Sequence, residues 1–97
     1  MLTIEQIKQT VADYFKDKPV KKVYLFGSYA RGEADDNSDI DLGVEMEHVR
    51  MSLWQFASLA VGLEERLHKK VDLVEIDLMH SWVKRRFEKD KKELYLA

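Results

Sequence analysis

Val20-Lys21-Lys22-Val23-Tyr24-Leu25-Phe26-Gly27-Ser28-Tyr29-Ala30-Arg31-Gly32, then Ser38-Asp39-Ile40-Asp41-Leu42, is the stretch from which the architecture of this chain is read. Val20–Phe26 is rich in β-branched and aromatic residues and closes on a glycine, which predicts a strand. Residues 28–34 follow with no linker and predict a short helix entered directly from that strand. Asp35-Asp36-Asn37-Ser38 predicts a turn, because such side chains compete for nearby backbone hydrogen bonds. Residues 39–45 alternate polar and apolar, the period of a half-buried strand.

Working outward, Ile4, Ile7, Val11 and Tyr14/Phe15 recur at three- and four-residue steps and predict a helix over residues 3–16. Thr3 stands at its start with Gln6 three positions on, the capping-box spacing, and Pro19 closes it or opens the next element. Downstream, Leu53, Phe56, Ala57, Ala60, Leu63 and Leu67 mark the buried stripe of a helix over 52–68, with Glu64, Glu65 and Arg66 on its wet face. Residues 71–76 predict a third strand. Asp77 is read as the cap of a final helix reaching about residue 92, with Trp82, Val83 and Phe87 inward. Residues 93–96 fit either a short closing strand or an extended tail. The order α-β-α-β-α-β-α predicts an α/β chain, more closely a two-layer α+β fold with its helices packed on one face of a sheet.

Composition narrows the function classes. The chain has 97 residues, 16 Lys+Arg against 18 Asp+Glu, three His and no Cys. That length predicts a single domain over 1–97. No apolar run is long enough to span a membrane, and the start lacks a basic region followed by an apolar one, so a cytoplasmic protein is expected. The absence of Cys excludes disulfides, Cys-ligated zinc and thiol catalysis. A net charge of -2 gives no global pull toward nucleic acid or anionic membrane. So short a chain is too small to enclose a substrate on all sides.

The chemistry concentrates in the quoted stretch. A strand that ends in Gly27-Ser28 and turns straight into a helix presents unpaired N–H groups, which with the helix dipole favour a phosphate. Gly27 admits a close ligand, and the Ser28 hydroxyl can bond a phosphate oxygen. The plainer reading makes Ser28 an N-cap and Gly27 a turn residue. Asp39 and Asp41 leave one face of their strand with Cα atoms about 6–7 Å apart. Two such carboxylates repel unless a cation lies between them, and hard ions such as Mg²⁺ take oxygen ligands. A third acid would serve a site that activates a hydroxyl while orienting a triphosphate. If Val71 and Leu73 pack inward as Ile40 and Leu42 do, Asp72 points to the same open face, and Glu75 falls on the other parity. The plainer reading of all three is solvated acids on an exposed sheet face.

G-S-Y-A-R-G followed by S-D-I-D-L resembles the signature of the minimal nucleotidyltransferases, within the DNA polymerase beta-like nucleotidyltransferase superfamily. Gly27, Ser28, Asp39, Asp41 and Asp72 match its pattern residue by residue, and the element order fits over nearly the whole chain. The resemblance implies a nucleotidyltransferase fold with a small mixed sheet. It also implies a nucleoside triphosphate, ATP by analogy, bound with two Mg²⁺ ions. An acceptor hydroxyl would attack the α-phosphorus and pyrophosphate would leave. Asp39 and Asp41 would hold the ions, Asp72 would complete the site for the nucleophile, and Gly27 and Ser28 would hold the outer phosphates. Arg31 would contact phosphate, or instead tie the loop by a salt bridge to Asp35 or Asp36. Free-standing members are commonly paired with a HEPN-domain protein as toxin and antitoxin, and some adenylylate a tyrosine of the toxin. The implied partner is therefore a HEPN-domain protein that supplies the acceptor.

Other features read more plainly. Lys84, Arg85, Arg86, Lys89, Lys91 and Lys92 are interleaved with Glu88, Asp90 and Glu93, as on a solvated helix face, so direct nucleic-acid binding is not expected. This weighs against an RNA-end nucleotidyltransferase. His48, His68 and His80 lack ligand spacing. Trp54 and Trp82 read as core or interface aromatics, and Met51, Trp54 and Phe56 as a possible partner surface. The alternative function is a non-catalytic module that neutralises its partner by contact, although such a module has no need of three converging acids. A homo-oligomer stays open.

Overall fold

The computed structural model describes residues Met1–Ala97. The chain runs through α1 (Ile4–Phe15), β1 (Val20–Phe26), α2 (Ser28–Arg31), β2 (Ile40–Met46), α3 (Leu53–Leu67) and β3 (Val71–Glu75). A 3-10 turn at Ile76–Leu78 leads into α4 (Ser81–Asp90) and β4 (Lys92–Leu96). The strands form one sheet in the order β3-β2-β1-β4. β1 is antiparallel to β2 and β4, while β2 and β3 are parallel. This is the mixed α+β sheet expected, and the last residues are a strand rather than a tail. No helix is long and apolar enough to cross a membrane.

Local chemistry accounts for the ends of the elements. Thr3 Oγ1 accepts from the Gln6 amide, and Gln6 Oε1 accepts from the Thr3 amide at 2.8 Å, closing the predicted capping box. Ser52 and Gln55 build a second box at the start of α3. α2 is shorter than expected because Gly32, at φ 75°, ends it after one turn. α4 begins at Ser81 and is not capped by Asp77. The backbone first tightens into the 3-10 turn, and Met79 and His80 then lie extended, so a helix cannot start before them.

α1 and α3 cover one face of the sheet. Ile7, Val11 and Phe15 of α1 join Leu59, Leu63 and Leu67 of α3 over Val23, Leu25, Ile40, Leu42, Val44 and Val71. The two helices are locked by Tyr14, whose hydroxyl donates to the Leu59 carbonyl at 2.9 Å. Gly62 makes that possible, since a β-carbon there would strike the Tyr14 ring and hydroxyl. The inward stripe of α3 differs from the predicted one at its start. Leu53 is 82% exposed because it borders an open groove instead of the core, and Ala57 is also exposed.

The helices do not all lie on one face. α4 packs on the other side, where Phe87 meets Tyr24 and Phe26 edge-on at centroid distances of 5.6 and 5.4 Å. Those two rings have the opposite parity to Val23 and Leu25, so they point away from α1 and α3. Gly43 leaves the space that the Phe87 ring occupies, since a β-carbon there would come within 2.6 Å of Phe87 Cε1. Of the residues predicted inward on α4, Phe87 is buried and Val83 is half-buried, whereas Trp82 is 58% exposed. Phe87→Ala should destabilise the fold by about 3–5 kcal/mol in urea unfolding, with hydrogen exchange rising first in residues 81–90.

Candidate active site

The end of β1 and the start of β2 define the site. Phe26 is paired with Asp41 across the antiparallel ladder. The next residue, Gly27, takes φ 77° and ψ -155°, which carries the chain off the sheet and into α2. A β-carbon at Gly27 would collide with Asp41 Oδ2 and come within 3.1 Å of its Cγ. Gly27 therefore makes room for the protein's own carboxylate, a role visible only once the strand register is known.

Gly27 is the N-cap of α2, so Ser28 is a first-turn residue and caps nothing. The first intrahelical bond runs from the Arg31 amide to the Gly27 carbonyl at 3.1 Å. The amides ahead of it are the unpaired donors of a helix start, and the Ser28 side chain lies beside them. Arg31 forms ion pairs, but with different acids from those expected. Its Nε donates to Glu33 and a terminal nitrogen to Asp90, both at 2.7 Å. Asp35 instead organises its own turn by accepting from the Asn37 amide and the Ser38 hydroxyl. Asp90 is the last residue of α4 and its side chain is 8% exposed, so the pair ties α4 to the turn after β1.

The three acids share a neighbourhood. Asp41 and Asp72 are register partners on the parallel pair β2 and β3, so their side chains leave the same face. Asp39 stands two residues before Asp41, immediately ahead of the strand. Asp41 is half-buried, while Asp39 and Asp72 are exposed. Burial pushes the Asp41 carboxyl up to about 6, the charges of Asp72 and Asp39 add to the rise, and Arg31 opposes it. The three do not close into a three-ligand metal cluster. Their donors are nonetheless all hard carboxylate oxygens, and Asp41 feels two like charges, which is the chemistry a hard divalent cation relieves.

A cavity of about 290 Å³ joins these parts. Gly27 and Ser28 line it from the turn, Asp41 from β2, and Trp82, Arg86 and Asp90 from α4. A larger groove of about 410 Å³ lies between the end of β3 and the start of α3, but it is mostly apolar and contains none of these residues.

The chain matches the nucleotidyltransferase domain family over residues 4–95. It belongs to that family. A candidate protein adenylyltransferase of Methanocaldococcus jannaschii is 41% identical over 96 residues, covering 93% of this chain and 96% of the relative. The protein adenylyltransferase MntA of Thermococcus cleftensis is 40% identical over 78 residues, covering 76% of this chain and 78% of that protein. Among solved structures, a toxin–antitoxin complex with AMP-PNP aligns with a TM-score of 0.80 at 26% identity, over 93% of this chain and 73% of that chain. A candidate minimal nucleotidyltransferase aligns at 0.77 with 29% identity, over 94% and 95%.

In this nucleotidyltransferase, sequence reasoning missed the contribution of α4. Trp82, Arg86 and Asp90 recur at four-residue spacing and so share a helix face, which is a legible signal once the helix is known to sit over the site. Asp41 binds its proton more tightly in the folded state than in the unfolded chain. Its contribution to stability is therefore full below about pH 4 and lost as pH rises through about 6. Without divalent cation, Asp41→Asn should stabilise the fold at pH 7.5 by on the order of 1–2 kcal/mol, allowing for partial solvation, with the difference vanishing near pH 4. Gly27→Ala should do the reverse, lowering the melting temperature by displacing Asp41 and straining a positive φ.

Proposed function

We propose that this nucleotidyltransferase moves AMP from ATP onto a hydroxyl of a partner protein, a HEPN-domain toxin, and so acts as its antitoxin. The observation that carries the reading is the meeting of Ser28 and Asp41 at one cavity, with Asp72 in register beside Asp41. The relatives named as protein adenylyltransferases and the toxin–antitoxin complex with AMP-PNP support the same choice of nucleotide and acceptor.

The roles follow from position. The Ser28 hydroxyl and the helix-start amides bind the outer phosphates of the triphosphate. Arg31, held by Glu33 and Asp90, fixes α4 across the cavity. Asp39, Asp41 and Asp72 would hold Mg²⁺, two ions by family resemblance, which when bound neutralises triphosphate charge and favours the attacking alkoxide. The acceptor oxygen forms a bond to the α-phosphorus as the bond to the departing pyrophosphate breaks. Asp72, exposed on β3, receives the hydroxyl proton from a group presented by another molecule. The reaction draws on cellular ATP, which places the protein in the cytoplasm.

The test combines the protein, the HEPN-domain partner proposed for it, Mg²⁺ and ATP labelled at the α-phosphate. Label should pass to the partner, and Asp39→Ala with Asp41→Ala should reduce transfer by on the order of 10³-fold or more. A partner bound tightly by wild type but never labelled would support neutralisation by contact and overturn the enzymatic reading.

A further inference from the structure

α4 presents three side chains to the cavity at one-turn intervals, Trp82, Arg86 and Asp90. Two anchors set its rotation. Phe87 is buried against Tyr24 and Phe26 on one side, and Asp90 is paired with Arg31 at the end of α2. With the helix so held, Trp82 and Arg86 stand over the cavity. Neither is used by the fold. Arg86 makes no ion pair, although Lys84, Lys91 and Arg31 all do. Trp82 keeps 58% of its surface open, an unusual position for the side chain with the largest apolar area to bury. Arg31 is already compensated by two carboxylates, so Arg86 is the uncompensated cation of the cavity.

We propose that Trp82 and Arg86 form the nucleotide-binding wall of this cavity: the Trp82 indole stacks on the base, and the Arg86 guanidinium binds the outer phosphates opposite Ser28. The order along α4 fits such a ligand. Asp90 marks the end of the helix tied to α2, Arg86 lies one turn away, and Trp82 a further turn out, about 6 Å along the axis. A polyanionic end and an aromatic end are thereby met in sequence. A guanidinium suits phosphate because its planar donors bond two oxygens at once. An indole accepts any base by its π-face, which gives affinity without strong discrimination between bases. The assignment rests on the reading of this cavity as the nucleoside triphosphate site.

The chain has two tryptophans, so Trp54→Phe leaves Trp82 as the sole reporter. This protein is titrated with ATP and with inorganic tripolyphosphate, both with Mg²⁺, following emission and, separately, calorimetric affinity. ATP should quench and shift Trp82 emission, and tripolyphosphate should bind without that quenching. Trp82→Ala should weaken ATP by about tenfold and leave tripolyphosphate unchanged. Arg86→Gln should weaken both by about tenfold or more. Both residues are exposed, so neither change opens the core. Either variant binding both ligands as wild type does removes that residue from the assignment, and equal loss of both ligands in Trp82→Ala overturns stacking. If wild type binds ATP and labels its partner while Trp82 emission stays unchanged, the stacking assignment falls and the proposed function stands. If wild type binds no ATP, both fall together.

Discussion

The carboxylate of Asp41 sits in the space that a side chain at Gly27 would fill, and this close approach organises the functional end of the molecule. The pairing of Phe26 with Asp41 brings the last residue of β1 opposite the second residue of β2. The next residue must then leave the sheet without obstructing the acid, and a glycine at positive φ does both. One contact thereby places a helix start and a half-buried carboxylate against a common space. Burial and the neighbouring charges of Asp72 and Asp39 raise this acid to about 6, a repulsion that a divalent cation would relieve.

The second organising element is α4, which contributes little to the main core and much to the shape of the site. Its hydrophobic attachment is concentrated in Phe87, received by the two rings of β1 and by the gap at Gly43. Its polar attachment is the Arg31–Asp90 pair, partly shielded from water on the Asp90 side. A buried ring alone would leave the helix free to roll, and the ion pair at its last residue removes that freedom. The same arginine thus joins the turn at Gly27-Ser28 to the opposite wall, an arrangement that differs from a local tie within its own loop.

Much of this was legible in the residues. The strand ending in Gly27-Ser28, the parity of Asp39 and Asp41, and the choice of Asp72 over Glu75 follow from period-two alternation, and the parallel register of β2 and β3 sets Asp72 beside Asp41. What was not legible depends on contacts between distant segments. Nothing local shows that Asp90 will meet Arg31, fifty-nine positions away. Nor does a pattern of alternating charges show that Trp82 and Arg86 face a cavity, because an unpaired helix face and a ligand-facing one have the same periodicity. Leu53 is exposed for a related reason: it lies in the right register, but it stands at an open groove and not over the packed core. Asp77 looked like a cap, yet a 3-10 turn intervened, as short-range propensity does not fix where a helix starts.

Asp72 lies on β3, the outermost strand of the sheet, with no further strand beyond it. On the proposed assignment of Asp72, the acceptor side of the centre is a rim and not a chamber. A chamber selects a molecule by excluding others of the wrong shape, and changing its selectivity means rebuilding the interior. A rim selects by whatever holds the other macromolecule in place, which can be altered on the surface while the acids and the Gly27-Ser28 turn stay untouched. On that assignment recognition and chemistry are separable, and a new target would require only a new way of being held.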